Sequence, residues 1–357
     1  MMSTNVNTDT FADQLLNRAL GTAETLSIYV GDRLGWYPLL AAGELTSREL
    51  AERSATNERY AREWLEHQAV AGLVECDDVS DAQQRRYWLS PAAAEVLTDP
   101  ASLTYLAPLA RMFAASAVQL PALLQAYRTG GGVSWAQFGA DARESQADMN
   151  RPWFEQVLPR VLAGVGPLHQ RLSRPGTRIA DVGCGAGWSS IALARAYPGA
   201  VVDGYDIDEA SIEMARANAE QTGLADRVRF TAIDAAGLPA DTFDAVFAFE
   251  CVHDMPYPVD VLTAARNALR DGGSVVVMDE AVAPEFRADG DELERLMYGF
   301  SLFVCLPDGM SHPDSAGTGT AMRPGTLREY GARAGLGTFE VLPIYDFGFW
   351  RFYRLAS

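Results

Sequence analysis

Apolar residues recur at helical spacing over residues 11–40 (Phe11, Leu15, Leu16, Ala19, Leu26, Val30, Leu34), which predicts two helices broken near Gly21 and Gly35. The polar residues 1–10 ahead of them are expected to form a disordered tail. Thr46 is placed to cap a short helix, and Asn57 to cap a second over residues 58–72 with Tyr60, Trp64, Leu65 and Ala69 on one face. Residues 74–76 and 86–89 flank a polar loop like the strands of a wing. Residues 91–170 read as helical, with a break at Gly130-Gly131-Gly132, an irregular stretch over 133–152, and renewed periodicity over 153–162. From residue 178 the pattern changes. Apolar runs at 179–182, 201–205, 228–232, 243–249 and 274–279 alternate with helical stretches at 188–197, 211–222 and 259–269. A turn is expected at Asp271-Gly272-Gly273, a helix over 326–334, and two last strands over 339–344 and 349–354. This alternation predicts an α/β, doubly wound sheet.

The first strand runs into Asp181-Val-Gly183-Cys-Gly185-Ala-Gly187, and the second ends at Asp206. Such a βαβ unit lets a ligand approach the backbone closely. Its glycine spacing is tighter than that of a dinucleotide site, and Asp181 would repel a pyrophosphate but attract an ammonium group. The segment resembles motif I of the class I S-adenosylmethionine (SAM) methyltransferases. A carboxylate at Asp206 can accept both ribose hydroxyl protons and would repel a 2′-phosphate. The resemblance implies a Rossmann-like sheet of seven strands ending in an antiparallel hairpin, and S-adenosylhomocysteine as product. It further implies that Asp234 accepts from the adenine amino group, with Ile207 and Ala235 against the ring. Asp181, Gly183, Gly185 and Gly187 would then hold the methionine end, and Glu250 would approach the cofactor.

The net charge of −18 over 357 residues weighs against nucleic acid as a partner, which needs basic residues to displace counterions. Cys76, Cys184, Cys251 and Cys305 are widely spaced and read as reduced thiols. No apolar run approaches the ~20 residues of a membrane span, so a soluble, cytoplasmic protein without a membrane partner is expected. The N-terminal part has a winged-helix pattern. Arg48, Arg53, Arg59 and Arg62 there are interleaved with Glu49, Glu52, Glu58, Glu63 and Glu66, which favours a homodimerisation module over a DNA reader. The expected organisation is a tail (1–10), a winged-helix dimerisation domain (11–100), a helical connector contributing to the acceptor pocket (101–170), and a SAM-binding catalytic domain (171–357) with a lid insertion (284–324).

The fourth strand leads into Phe249-Glu250-Cys251-Val252-His253-Asp254. Ligands in such sheets bind outside the carboxyl ends of the strands, which places His253 near the transferred methyl. The segment resembles the His-Asp pair of plant and actinobacterial small-molecule O-methyltransferases of secondary metabolism. That resemblance implies His253 as general base, a neutral imidazole with pKa near 6.5, with Glu280 orienting it and Asp254 pointing away. Trp135, Phe138, Asn150, Trp153 and Phe154 are expected to roof the acceptor, with Met297, Phe300 and Ser301 lining it and His312 on the lid. One alternative is metal-assisted C-methylation of a 2-oxo acid or enol, with Glu250, His253 and His312 around an iron. Others are a winged-helix DNA-binding regulator and a non-catalytic SAM-binding scaffold. The acceptor's identity is not legible in the chain.

Overall fold

Asn7 starts the first helix by accepting the Thr10 N–H at 2.8 Å, in a computed structural model that describes residues 7–357. Helix α1 (Thr8–Arg33) is continuous through Gly21, where an added Cβ would meet nothing. A glycine with open space around it lowers helix propensity by about 1 kcal/mol without breaking a helix that has packing support, so the expected break lies only at Gly35, in left-handed backbone. The expected tail is therefore helical from Thr8, and residues 1–6 lie outside the described residues.

Helix α2 (Trp36–Ala41) precedes α3 (Ser47–Ser54), which opens on a capping box: the Glu49 N–H donates to Thr46, and the Thr46 N–H donates to Glu49. Asn57 caps α4 (Glu58–Val70), whose buried face is Ala61, Trp64, Leu65 and Gln68; Tyr60, expected there, is 76% exposed. The wing is an antiparallel pair, β1 (Glu75–Cys76) and β2 (Tyr87–Trp88), and α5 (Pro91–Thr98) follows it. Trp64 packs edge-on against Trp36 and Tyr37 at the centre of this core.

The chain forms two compact units, Met1–Ala115 and Ser116–Ser357. Helix α6 (Ala107–Val118) carries the chain from one into the other, followed by α7 (Leu120–Thr129), α8 (Trp135–Gln156), α9 (Leu158–Ala163) and α10 (Gly166–Leu172). The expected irregular stretch over 133–152 is thus mostly α8, interrupted only at Gly139 by a non-helical residue. Its regularity was hidden because one of its inward-facing stripes is polar. No single helix among the described residues is long and apolar enough to cross a membrane.

The second unit is built on seven strands: β3 (Arg178–Val182), β4 (Val201–Asp206), β5 (Val228–Ala232), β6 (Phe243–Phe249), β7 (Leu269–Glu280), β8 (Thr338–Val341) and β9 (Trp350–Ala356). Their order is β5-β4-β3-β6-β7-β9-β8, parallel through β7 with β9 antiparallel to both its neighbours. Helices α11 (Trp188–Ala196), α12 (Glu209–Gln221) and α13 (Pro258–Ala268) connect the parallel strands. The expected turn at Asp271-Gly272-Gly273 is instead a bulge within β7, where the register to β6 shifts between Phe243 and Ala245. The insertion holds α14 (Glu292–Phe300), a π-helical turn (Ser301–Cys305) and α15 (Leu306–Gly309); α16 (Pro324–Arg333) resumes the fold.

Candidate active site

The carboxyl ends of β3, β4 and β5 converge on the glycine turn. Gly183 has φ +66°, and a Cβ on it would fall 2.7 Å from Cys251 Cβ, so only glycine fits there. Asp206, at the end of β4, accepts N–H bonds from Gly185 and from Asp208, both at 2.9 Å, which fixes its carboxylate beside the turn. Ile207 next to it is 65% exposed, an apolar surface beside that acid. Asp181 is fully buried and accepts the Ser189 and Ser190 hydroxyls at the start of α11, while its Oδ1 has no partner. Burial pushes its pKa up to about 6. Asp234 is exposed and caps a short 3-10 turn (Ala235–Gly237) through the Ala236 N–H; Ala235 is buried.

At the ends of β6 and β7 the structure gathers a second group. His253 is 3% exposed, with Nδ1 2.9 Å from Asp279 Oδ1 and 3.4 Å from Glu280 Oε2, and Nε2 3.3 Å from Asp254 Oδ1. Two expectations are corrected here. Asp254 faces the imidazole instead of turning away, and the ring does not have an ordinary pKa. Burial alone would lower that pKa, but the charges of Asp254, Asp279 and Glu280 outweigh it and hold it well above 6.5. Asp279 is the nearest partner, and no sequence signal singled it out except its place beside Glu280 at a strand end.

Helix α8 borders both groups. Arg143, Gln146 and Asn150, spaced i, i+3 and i+7, share one face of the helix. Arg143 makes a two-pronged pair with Asp208 (2.5 and 3.0 Å), and Gln146 and Asn150 both donate to Glu250 Oε2. Glu250 itself sits in left-handed backbone (φ +49°), and burial pushes its carboxyl above the ordinary range. Asn150 therefore meets an acid, whereas Phe154 packs edge-on against Phe249 and tilted against Phe347, and Trp153 packs tilted against Phe347 and edge-on against Trp350, within the core. Phe138 is buried and Trp135 half-buried at the start of α8.

In the insertion, Met297 is 1% exposed, Ser301 is buried against Gly319, and Phe300 is half-buried between them. Cys305, on the π-helical turn, reaches the His253–Asp254 pair. His312 is exposed, with Ser311 Oγ 3.2 Å from its Nδ1. Among the described residues two clusters have ligand-competent atoms within 4.8 Å of one another, His253–Asp254–Cys305 and His253–Asp279–Glu280. Glu250 and His312 belong to neither, so the alternative iron triad is not gathered.

A methyltransferase-domain family profile matches residues 173–306, and an Rv2258c-like winged helix-turn-helix domain profile matches residues 22–99. The chain is 34% identical over 188 residues to 27-O-demethylrifamycin SV methyltransferase of Amycolatopsis mediterranei, covering 50% of this chain and 67% of that one. The chain belongs to the class I SAM-dependent methyltransferases. Of the further curated relatives it matches, this methyltransferase spans half the length or less. Its fold is that of the mitomycin 7-O-methyltransferase MmcR (TM-score 0.73, 21% identity, 98% of each chain covered). Human N-acetylserotonin methyltransferase, solved in complex with SAM, has the same fold (TM-score 0.71, 17% identity, 100% and 99% covered). The cofactor is SAM, and the turn fits it: a close-approach glycine, a fixed carboxylate at Asp206 and a buried, unpartnered Asp181 oxygen suit a ligand with ribose hydroxyls and an ammonium group.

Proposed function

We propose that this methyltransferase methylates a hydroxyl of a small-molecule phenol or enol, with His253 as general base. The observation that carries the reading is the burial of His253 at the carboxyl end of β6, with Nδ1 anchored on Asp279 and Nε2 on the side of the partly exposed Asp254. SAM supplies an electrophilic methyl group on a sulfonium. The protein's part is to align the acceptor, exclude water and receive the hydroxyl proton at His253 Nε2. The anions that raise the His253 pKa favour its protonated form, and a proton held there must leave before transfer. A second positive charge in the site favours its loss.

In this reading Asp206 binds the ribose, Asp234, Ile207 and Ala235 the adenine, and Asp181, Gly183, Gly185, Gly187 and Glu250 the methionine end. Phe300, Ser301 and His312 of the insertion face the acceptor, Met297 packs behind them, and Trp153 and Phe154 form a fixed wall. C-methylation through iron would need Glu250, His253 and His312 around one ion. The test is product formation from SAM and a panel of phenols, naphthols and enols, followed by mass and by S-adenosylhomocysteine release. His253→Gln is expected to lower kcat by about 10²–10⁴-fold while SAM affinity holds; an undiminished rate overturns the assignment.

The same reading makes the N-terminal unit a dimerisation module. Helix α1 exposes Phe11, Leu15, Leu16 and Leu20 at 50–59% each, an apolar stripe of the kind that marks an interface. It leads to a groove of about 560 Å³ lined by Val30, Leu34, Trp36, Tyr60 and Trp64. Arg48, Arg59 and Arg62 each pair with a glutamate four residues away, which leaves little charge for phosphates. Light scattering on a sizing column is expected to give twice the chain mass, and Leu15→Glu with Leu16→Glu to halve it; a wild-type monomer contradicts the reading.

A further inference from the structure

Asp279 and Glu280 close the strand-end cluster, and their bonding does not add up as two carboxylates. Asp279 is 1% exposed and Glu280 4%. Asp279 Oδ1 faces His253 Nδ1 at 2.9 Å and also takes the backbone N–H of Glu280 at 3.1 Å. Asp279 Oδ2 and Glu280 Oε2 are both buried and receive no N–H or O–H from an ordinarily protonated neighbour. The ligand atoms of His253, Asp279 and Glu280 lie within 4.8 Å of one another.

Buried oxygens that find no donor are costly, and two adjacent buried carboxylates drive one of the pair to keep its proton. Among the described residues no arginine side chain pairs with either of them. Arg351, the register partner of Asp279 on β9, directs its guanidinium to the carbonyls of Ala281 and Val282 and to the Tyr353 hydroxyl. The other groups around His253 add no cation: Asp254 lies at Nε2, the Cys305 thiol beside it, and Glu250 within electrostatic range. Asp279 Oδ1 and Glu280 Oε2 face the same His253 Nδ1 at 2.9 and 3.4 Å, and the two carboxyl groups are close enough to hydrogen-bond, so one proton held between them would relieve the pair.

We propose that Asp279 and Glu280 share one proton, so that Asp279 is the anion that orients His253 and Glu280 is its neutral acid partner. Burial pushes the Glu280 carboxyl well above the usual range. Burial acts on Asp279 in the same direction, but His253 and the bonds from Glu280 outweigh it and hold that carboxyl low. Asp279 is then the positioning residue, in the place the sequence assigned to Glu280. The inference rests on His253 as the base, yet its test needs no methyl acceptor, so the two readings fail separately.

The chain has four histidines, which makes nitrogen-15 histidine labelling tractable. The signal that His253→Asn removes identifies the ring. In the wild type that ring is expected to show a downfield, exchange-protected Nδ1 proton through neutral pH. Glu280→Gln, whose amide offers an N–H where the acid offers an O–H, should retain it. Asp279→Asn should lose it and let His253 titrate nearer to 6.5. Equal loss in both variants, or loss in Glu280→Gln alone, overturns the proposal. If Asp279→Asn does not fold, infrared spectra decide. A protonated-carboxyl band at neutral pH that Glu280→Gln removes supports the shared proton, and a wild type without that band refutes it.

Discussion

Asp308 Oδ1 accepts the backbone N–H of Trp135 at 2.7 Å, so a carboxylate 173 residues away in sequence caps helix α8. Beside this bond the Val133 N–H donates to the Pro307 carbonyl, and the two contacts dock the insertion onto the connector. Burial, with Asp254, Asp206 and Asp208 nearby, pushes the Asp308 pKa up to about 7. A carboxyl whose folded pKa is raised favours the folded state below its unfolded value and loses that contribution as pH rises through about 7. Asp308→Asn keeps the acceptor oxygen and removes the ionisation. It should raise the melting temperature at pH 8, by on the order of 1 kcal/mol of stability, and leave it unchanged near pH 4. A gain of equal size at both pH values would show that ionisation is not the cause.

Gly132 marks the same docking. A Cβ there would lie 2.1 Å from the Pro307 carbonyl oxygen and 2.2 Å from the Ser311 nitrogen, both backbone atoms with little freedom to move. Gly132→Ala should destabilise by about 1–3 kcal/mol, the usual cost of overpacking. Proteolysis should move toward residues 306–312. Gly131→Ala, where only the end of a threonine side chain is near, serves as the control.

For His253, the base form must be free, and its pKa stands well above 6.5. Once an acceptor is in hand, kcat/KM should rise with pH along a limb displaced upward from 6.5. The stability that His253 draws from its acids is fully present below 6.5 and fades as pH rises through the raised value. A rate limb centred at or below 6.5 would contradict the anionic cage.

Arg143 pairs with Asp208 with both side chains largely buried, and the pair holds the Asp208 carboxyl low against the upward push of burial. That contribution is present above the ordinary aspartate range and is lost as pH falls through the lowered value. Arg143→Ala should cost about 1–3 kcal/mol at pH 7 and less as the pH approaches 3, in urea melts at each pH. Because Asp208 also donates its N–H to Asp206, SAM affinity should fall with it.

The parallel strands were readable because a strand buried on both faces leaves a continuous apolar run: Phe243–Phe249 has the bounds its sequence announces. Helix α8 was not readable, because Arg143, Gln146 and Asn150 carry its periodicity in polar residues whose partners lie 65–104 positions away. Gly21 misled for a different reason, since a glycine inside a continuous helix has the same letter as one that ends a helix. In the candidate site, Asp206 and His253 were singled out because each lies at or just past a strand end. Asp279 was not, because alternation along a strand sends neighbouring residues to opposite faces, and only at the last positions of β7 do both acids reach one ring.

The strand order puts the acids of β3, β4 and β5 on one side of the sheet's midline and those following β6 and β7 on the other. On the proposed assignment, the three on the first side meet the methyl donor. On the same assignment the residues on the second side, against which the insertion packs, meet the acceptor. Substitutions in the insertion, residues 284–324, are therefore expected to change which acceptor is methylated while binding of the methyl donor holds.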